Sequence, residues 1–163
     1  MIHLFKKTEA DKKETYKEII KKYKLTKFQK KDPNMVPIFI KIKMHLAEKM
    51  LATPQILFLD DICQELEEKE QDEFIKLLRT LQLETKIAII MTTSNLNISL
   101  ESDYLLVIND GKILLEGEPL TVIEKDNTLN KIGLDLPFMV DLSVKLRDYN
   151  VVDKVELNMD RMV

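Results

Sequence analysis

Four apolar residues in a row, Ile56-Leu57-Phe58-Leu59, constrain this chain more than any other stretch. Pro54 bounds them upstream and Asp60-Asp61 downstream. An unbroken apolar run of strand length predicts a β-strand buried on both faces, as parallel sheets bury theirs. Acids at the carboxyl end of such a strand stand where open α/β sheets place their ligand crevice. A carboxylate pair there can hold a Mg²⁺-nucleotide or a reacting water. It can also be a solvated strand-to-helix turn whose acids favour the N-terminus of the next helix.

With 163 residues, 45% of them hydrophobic, one domain with an ordinary core is expected. No apolar run approaches the ~20 residues of a membrane helix, and no signal peptide is read in the first seven residues. Cys63 is the single cysteine, which excludes an internal disulfide and fits a reducing cytoplasm. No second Cys or nearby His joins it, so a thiol metal site is not expected. Charge is segregated: residues 1–50 hold 14 Lys and 6 acids, while 51–163 hold 11 basic and 22 acidic residues. The basic end suggests an anionic neighbour or simply a Lys-covered helical face. Glycine is scarce, at positions 111, 117 and 133 only.

Periodicity predicts a helix over 8–25, capped by Thr8 with Asp11, its apolar face formed by Tyr16, Ile19, Ile20 and Tyr23. Asp32-Pro33-Asn34 breaks it, and a second helix carries Phe39, Ile42, Leu46 and Met50 up to Thr53-Pro54. His45 reads as a packed or surface side chain. After the central strand, a helix over 65–81 turns Leu66, Ile75, Leu77, Leu78 and Leu81 inward. A second fully buried strand follows over 86–91, ending in Thr92-Thr93-Ser94. Strands over 103–109 and 112–115 flank the hairpin turn Asp110-Gly111. Pro137 opens a short helix with Phe138, Leu142, Val144 and Leu146, and a terminal strand is read over 151–157. Strand–helix–strand followed by an antiparallel pair is an α/β pattern.

The order of these elements resembles the C-terminal half of an ABC-type P-loop NTPase domain. The run 51–61 is similar to a Walker B strand with its lead-in, Ile89 to Thr93 to the strand that carries the switch histidine, and Val107 to Ile113 to the hairpin that follows. Gly133-Leu134-Asp135-Leu136-Pro137-Phe138, with Asp141-Leu142 and Lys145-Leu146-Arg147, resembles the C-terminal extension of energy-coupling-factor (ECF) transporter ATPases, which drive vitamin and cobalt uptake. The resemblance implies three parts: a Lys-rich helical subdomain remnant over 1–53, a Walker B-type α/β core over 54–126, and an ECF-type extension over 127–163. It implies ATP and Mg²⁺ as cofactors. As partners it implies an intact ECF-type ATPase subunit and a membrane-embedded transporter component, at the inner face of the cell membrane.

The departures from that family are as informative. The Walker A half is expected to be missing, and residues 1–110 contain no glycine with which to build a phosphate cradle. The ABC signature would fall on Val36-Pro37-Ile38-Phe39-Ile40, which has neither serine nor glycine. Asp60 matches the Mg²⁺-holding aspartate. Asp61 stands at the catalytic glutamate and is one methylene shorter, Thr93 stands at the switch histidine, and Glu67 at the D-loop aspartate. The resemblance with these changes implies an inactive ATPase subunit that binds no ATP of its own and retains at most an assembly role. That role would use apolar residues of the tail, Leu134, Leu136, Phe138 and Leu142, with residues 1–50 toward the membrane surface.

Two other classes compete with this reading. A receiver-like phospho-signalling domain would use Asp60, Thr92 and Lys112. A nucleic-acid-binding module would use the basic end, but residues 1–50 contain no Arg for bidentate base readout, so no nucleic-acid partner is expected.

Overall fold

The computed structural model describes residues 9–153 and 155, the side chains of 9–15 and 33 excepted. The chain divides into two compact units, Met1–Met91 and Thr92–Val163.

In the first unit, α1 (Glu9–Lys22) and α2 (Ile38–Met50) are joined by two 3₁₀ turns, Thr26–Phe28 and Pro33–Met35. Strand β1 (Ile56–Asp60) leads through a 3₁₀ turn, Ile62–Glu65, into α3 (Glu68–Thr85) and then β2 (Ala88–Thr92). β1 and β2 form a two-stranded parallel sheet. The helical stripes fall as their periodicity predicts. Ile20 and Tyr23 of the first, and Phe39, Leu46 and Met50 of the second, are buried, while Tyr16 remains exposed. The Lys-rich faces look outward, with Lys43 the buried exception. The Thr8 cap lies outside the described residues.

Helix α3 starts three residues later than the sequence pattern predicts, because the intervening residues close a 3₁₀ turn and Glu67 becomes the cap. Phe74, Leu78 and Leu81 carry its buried face, with Ile75 and Leu77 half-buried. The helix ends on Lys86 in the left-handed region (φ 58°), whose N–H bonds the Gln82 carbonyl at 2.8 Å.

Neither strand of this sheet is buried on both faces, as the apolar runs predicted. Leu57 and Leu59 are 6% and 5% exposed, whereas Ile56 and Phe58 are 60% and 62% exposed. Ile90 of β2 is likewise exposed. Strand side chains alternate between faces, and the described residues cover one face only. Leu57 and Leu59 share a cleft wall with Leu46 of α2 and Phe74 of α3.

The second unit holds α4 (Leu96–Ser99), the antiparallel pair β3 (Leu105–Asn109) and β4 (Lys112–Gly117), α5 (Pro119–Ile123), α6 (Asp126–Lys131) and α7 (Phe138–Asp148). Asn109 pairs with Lys112 across Asp110 and Gly111, both at positive φ (49° and 72°), the geometry of a two-residue type I′ turn. An irregularity between Val107 and Ile108 lets Val107 face Leu115 in the core. One cluster gathers Leu96, Val107, Val122 and Leu129, and another Ile123, Val140, Val144 and Val155; Leu136 packs against both. Of the terminal strand read over 151–157, residues 151–153 and 155 are not in a strand and the others lie outside the described residues.

Candidate functional site

Asp60 is the last residue of β1, and Asp61 follows it in the left-handed conformation, φ 46° and ψ 32°. Aspartate tolerates that region better than most side chains, which is one reason a stretch without glycine can turn sharply here. The turn is tied down from below. Gln64 N–H donates to the Asp61 carbonyl at 3.3 Å and Leu66 N–H to that of Cys63 at 3.2 Å. Gln71, one turn into α3, donates from Nε2 to the carbonyls of Cys63 (3.1 Å) and Leu66 (2.9 Å). Glu67 and Glu70 close a capping box, with Glu70 Oε2 accepting from the Glu67 N–H at 3.2 Å. Glu67, at the D-loop position of the resemblance, therefore acts in this chain as the cap of α3.

The two acids face a cleft of about 550 Å³. Its other wall is one stripe of α2, formed by Ile38, Ile42, His45 and Lys49, with Gln64 and Glu65 at the turn. The sequence reading missed His45 and Lys49 here; their helical spacing from Ile38 and Ile42 was the signal, hidden because both carry polar heads. His45 is well exposed, with Nδ1 3.9 Å from a Glu48 oxygen. Cys63, under the turn, is buried, and burial with the nearby Asp61 charge pushes its thiol up. It is a packed side chain and no nucleophile.

The stretch where the ABC signature would fall sits at the amino end of α2. Pro37 precedes the helix and accepts at its carbonyl from the N–H groups of Ile40 (3.0 Å) and Lys41 (3.1 Å). A helix N-terminus favours an anion. Here Val36 and Phe39 are turned into the core and Ile38 is exposed, so the rim is apolar.

Of the residues singled out for nucleotide chemistry, the first unit brings Asp60 and Asp61 together. Thr92 and Thr93 lie in the second unit. Thr93 Oγ1 accepts from the Asn95 N–H at 3.1 Å, and Asn95 in turn caps α4 through the Asn97 N–H at 3.0 Å. Lys112 opens β4 beside the hairpin turn, on an antiparallel pair. In the tail, Leu134 and Leu136 pack against the unit's own core, Leu142 is half-buried, and Phe138 is 76% exposed.

No protein-family model matches the chain. It is 30% identical over 142 residues to the energy-coupling factor transporter ATP-binding protein EcfA of Pediococcus pentosaceus, a match spanning 87% of this chain and 51% of that protein. The chain is a homologue of ECF transporter ATP-binding subunits. A second ECF ATP-binding protein, from Geobacillus kaustophilus, is 26% identical over 138 residues, covering 85% of the chain and 50% of the relative. Among solved structures, cbiO1 of Clostridium perfringens, part of the ABC transporter complex cbiONQ, superposes with a TM-score of 0.68 at 25% identity, over 82% of the chain and 54% of that structure. An ATP-binding cassette of an ABC transporter in its ADP conformation shares the fold, with a TM-score of 0.67 at 17% identity. The chain thus has part of the ABC ATPase fold and spans about half the length of the relatives it matches. These relatives decide against the receiver-like reading. Among the described residues no helix is long and apolar enough to cross a membrane.

As for Mg²⁺, no group of three or more His, Cys, Asp or Glu among the described residues is placed to hold a metal. The resemblance would assign Mg²⁺ to Asp60, which ends β1.

Proposed function

We propose that the chain is a non-catalytic subunit of an ECF-type ABC transporter, acting through assembly with an intact ATPase subunit and binding no ATP of its own. The observation that carries this reading is the cleft itself. It presents two adjacent carboxylates and an apolar helix terminus, and none of its lining residues is a glycine. Phosphoryl transfer depends on a backbone cradle of positioned donors around the phosphates, and of the residues lining the cleft only Lys49 carries a fixed positive charge. Asp61 and Thr93 in place of a longer acid and a histidine point the same way.

The parts proposed are a helical region over 1–53, a Walker B-type core over 54–126 and an extension over 127–163. Phe138 is the tail residue available for pairing with the intact subunit, since Leu134 and Leu136 are committed to the chain's own core. The Lys-covered helices would lie toward an anionic cytoplasmic leaflet, at up to ~1 kcal/mol per Lys close to the surface, beside the membrane-embedded component.

Two measurements test this. Calorimetry with Mg-ATP should give no heat of binding, and no thermal shift should appear; ligand at 100 times a real dissociation constant would stabilise by ~2.7 kcal/mol. A tagged intact ECF-type ATPase should capture the chain, and Phe138→Asp should abolish capture while leaving the melt of the isolated chain unchanged. Micromolar Mg-ATP binding, or capture indifferent to Phe138→Asp, would overturn the reading.

A further inference from the structure

The chain's three glycines follow Asp110, Glu116 and Ile132, so Asp110-Gly111 is the single place where an aspartate or asparagine precedes a glycine. That pairing has a chemistry of its own. A backbone amide nitrogen can attack the side-chain carbonyl of the residue before it. From aspartate the ring that closes is a five-membered imide, whereas Glu116 ahead of Gly117 would need a strained-free but slower six-membered closure. Any side chain on the attacking residue hinders the approach, and glycine has none.

The fold presents this pair openly. Asp110 and Gly111 are exposed and fill the two central positions of the β3–β4 turn, at φ 49° and 72°. The closing hydrogen bond of such a turn joins its outer residues, here Asn109 and Lys112, and does not use the Gly111 N–H. Nothing lies within 4 Å of a Cβ placed on Gly111, which leaves room for the ring and for water. Asn109 Nδ2 donates to Asp110 Oδ2 at 3.3 Å, a donor beside the carboxyl that undergoes attack.

We propose that Asp110 is a site of isoaspartate formation, and that its product is a substrate for methyl transfer from S-adenosylmethionine to the freed α-carboxylate. The Gly111 nitrogen bonds to Asp110 Cγ and gives up its proton; one carboxyl oxygen leaves with that proton and the acid's own as water. One water then opens the succinimide. Attack at Cγ restores the aspartyl chain. Attack at the former backbone carbonyl leaves the chain running through Cβ and Cγ, with the α-carboxylate free. No electrons are exchanged and the net composition is unchanged. The isomer carries one extra backbone atom between Asp110 Cα and the Gly111 nitrogen. A two-residue turn fixes the register of its strands, so the pairs Asn109↔Lys112 and Ile108↔Ile113 are disturbed. Val107 and Leu115, which pair across the same hairpin, pack in the core with Leu96, Val122 and Leu129. A change at the exposed tip therefore reaches the core of the second unit.

The test ages the full chain, folded, at neutral pH and physiological temperature. Aliquots are treated with an isoaspartyl methyltransferase and radiolabelled S-adenosylmethionine, and the labelled peptide is sequenced by electron-transfer fragmentation. Label should accumulate with time on Asp110, and the isoaspartyl fraction should melt below the unaged chain. Asp110→Glu should lose the label. Gly111→Ala should reduce it although this variant weakens the turn, which separates ring closure in the folded hairpin from unfolding. Absence of label from the folded chain, label centred on another residue, or label undiminished in Asp110→Glu would each overturn the proposal. An isoaspartyl fraction that melts with the unaged chain would overturn the link from the turn to the core.

Discussion

The Lys43 ammonium lies 4.1 Å from the centroid of the Phe39 ring, one turn earlier on α2, while its Nζ is 3.1 Å from Glu73 Oε1 on α3. Lys43 is 5% exposed, and so is Phe39. A buried ammonium is tolerated because an aromatic face and a carboxylate share it. Phe39 is also one of the five residues standing where the ABC signature would be. That position has been absorbed into the core.

Restoring the signature's glycine as Phe39→Gly should therefore cost stability without giving nucleotide binding. Removing a buried aromatic side chain is worth ~3–5 kcal/mol, and the loss also strips Lys43 of its ring. Chemical denaturation should show the unfolding free energy falling by that amount. A Phe39→Gly variant as stable as the parent would mean the ring is not packed as described.

Asp61 sits at φ 46° between β1 and its 3₁₀ turn. A left-handed non-glycine residue is disfavoured by ~1–2 kcal/mol, less for Asp, so Asp61→Gly should raise stability by about 1 kcal/mol in urea titrations. Asp61→Glu loses the short side chain's tolerance for that region and should be slightly destabilising. Combined with Thr93→His it should still give no ATPase activity above background, because neither change supplies a phosphate cradle.

Tyr23 is 2% exposed and its hydroxyl finds no partner among the described residues. Burial, with the charge of Glu84 nearby, pushes its pKa up from 10.0 to about 12. The folded-state value is raised, so this contribution to stability is complete below pH 10 and is lost as pH rises from 10 to about 12. At ~1.4 kcal/mol per pKa unit, the alkaline loss is roughly 2–3 kcal/mol. Tyr23→Phe should flatten that limb and remove the late phase of an absorbance titration. At neutral pH it should be neutral or stabilising by ~1 kcal/mol, since an unsatisfied buried hydroxyl is deleted. An unchanged alkaline limb would sink the assignment.

The hairpin offers a local check. Gly111 has φ +72° and nothing within 4 Å of an added Cβ, so Gly111→Ala meets a backbone penalty and no clash. A loss of about 1 kcal/mol is expected, visible as a modest shift in the thermal midpoint. A much larger loss would reveal a contact at the turn.

The helices, the hairpin and the place of the acid pair were legible in the sequence because each follows from local rules. The apolar stripes at 3.6 spacing marked α2 and α3, Asp110-Gly111 selected a type I′ turn, and an apolar run ending in Asp60-Asp61 marked a strand terminus. Even the cap of α3 was half visible in the early acids, although Glu67 was read through the resemblance and not as a cap. What the run Ile56 to Leu59 determined was an intrinsic suitability for burial on both faces.

Only the tertiary structure decided which of those faces is covered. Leu57 and Leu59 are buried and line one cleft with Leu46 and Phe74, while Ile56 and Phe58 stay mostly exposed. Tertiary contact likewise joined His45 and Lys49 to the acid cleft, turned Phe39 inward beneath Lys43, and left Phe138 outside while Leu134 and Leu136 went in. The physical reason is common to all of them. Periodicity records that a side chain is apolar and which side of its own element it occupies, whereas burial depends on whether another element arrives to cover that side.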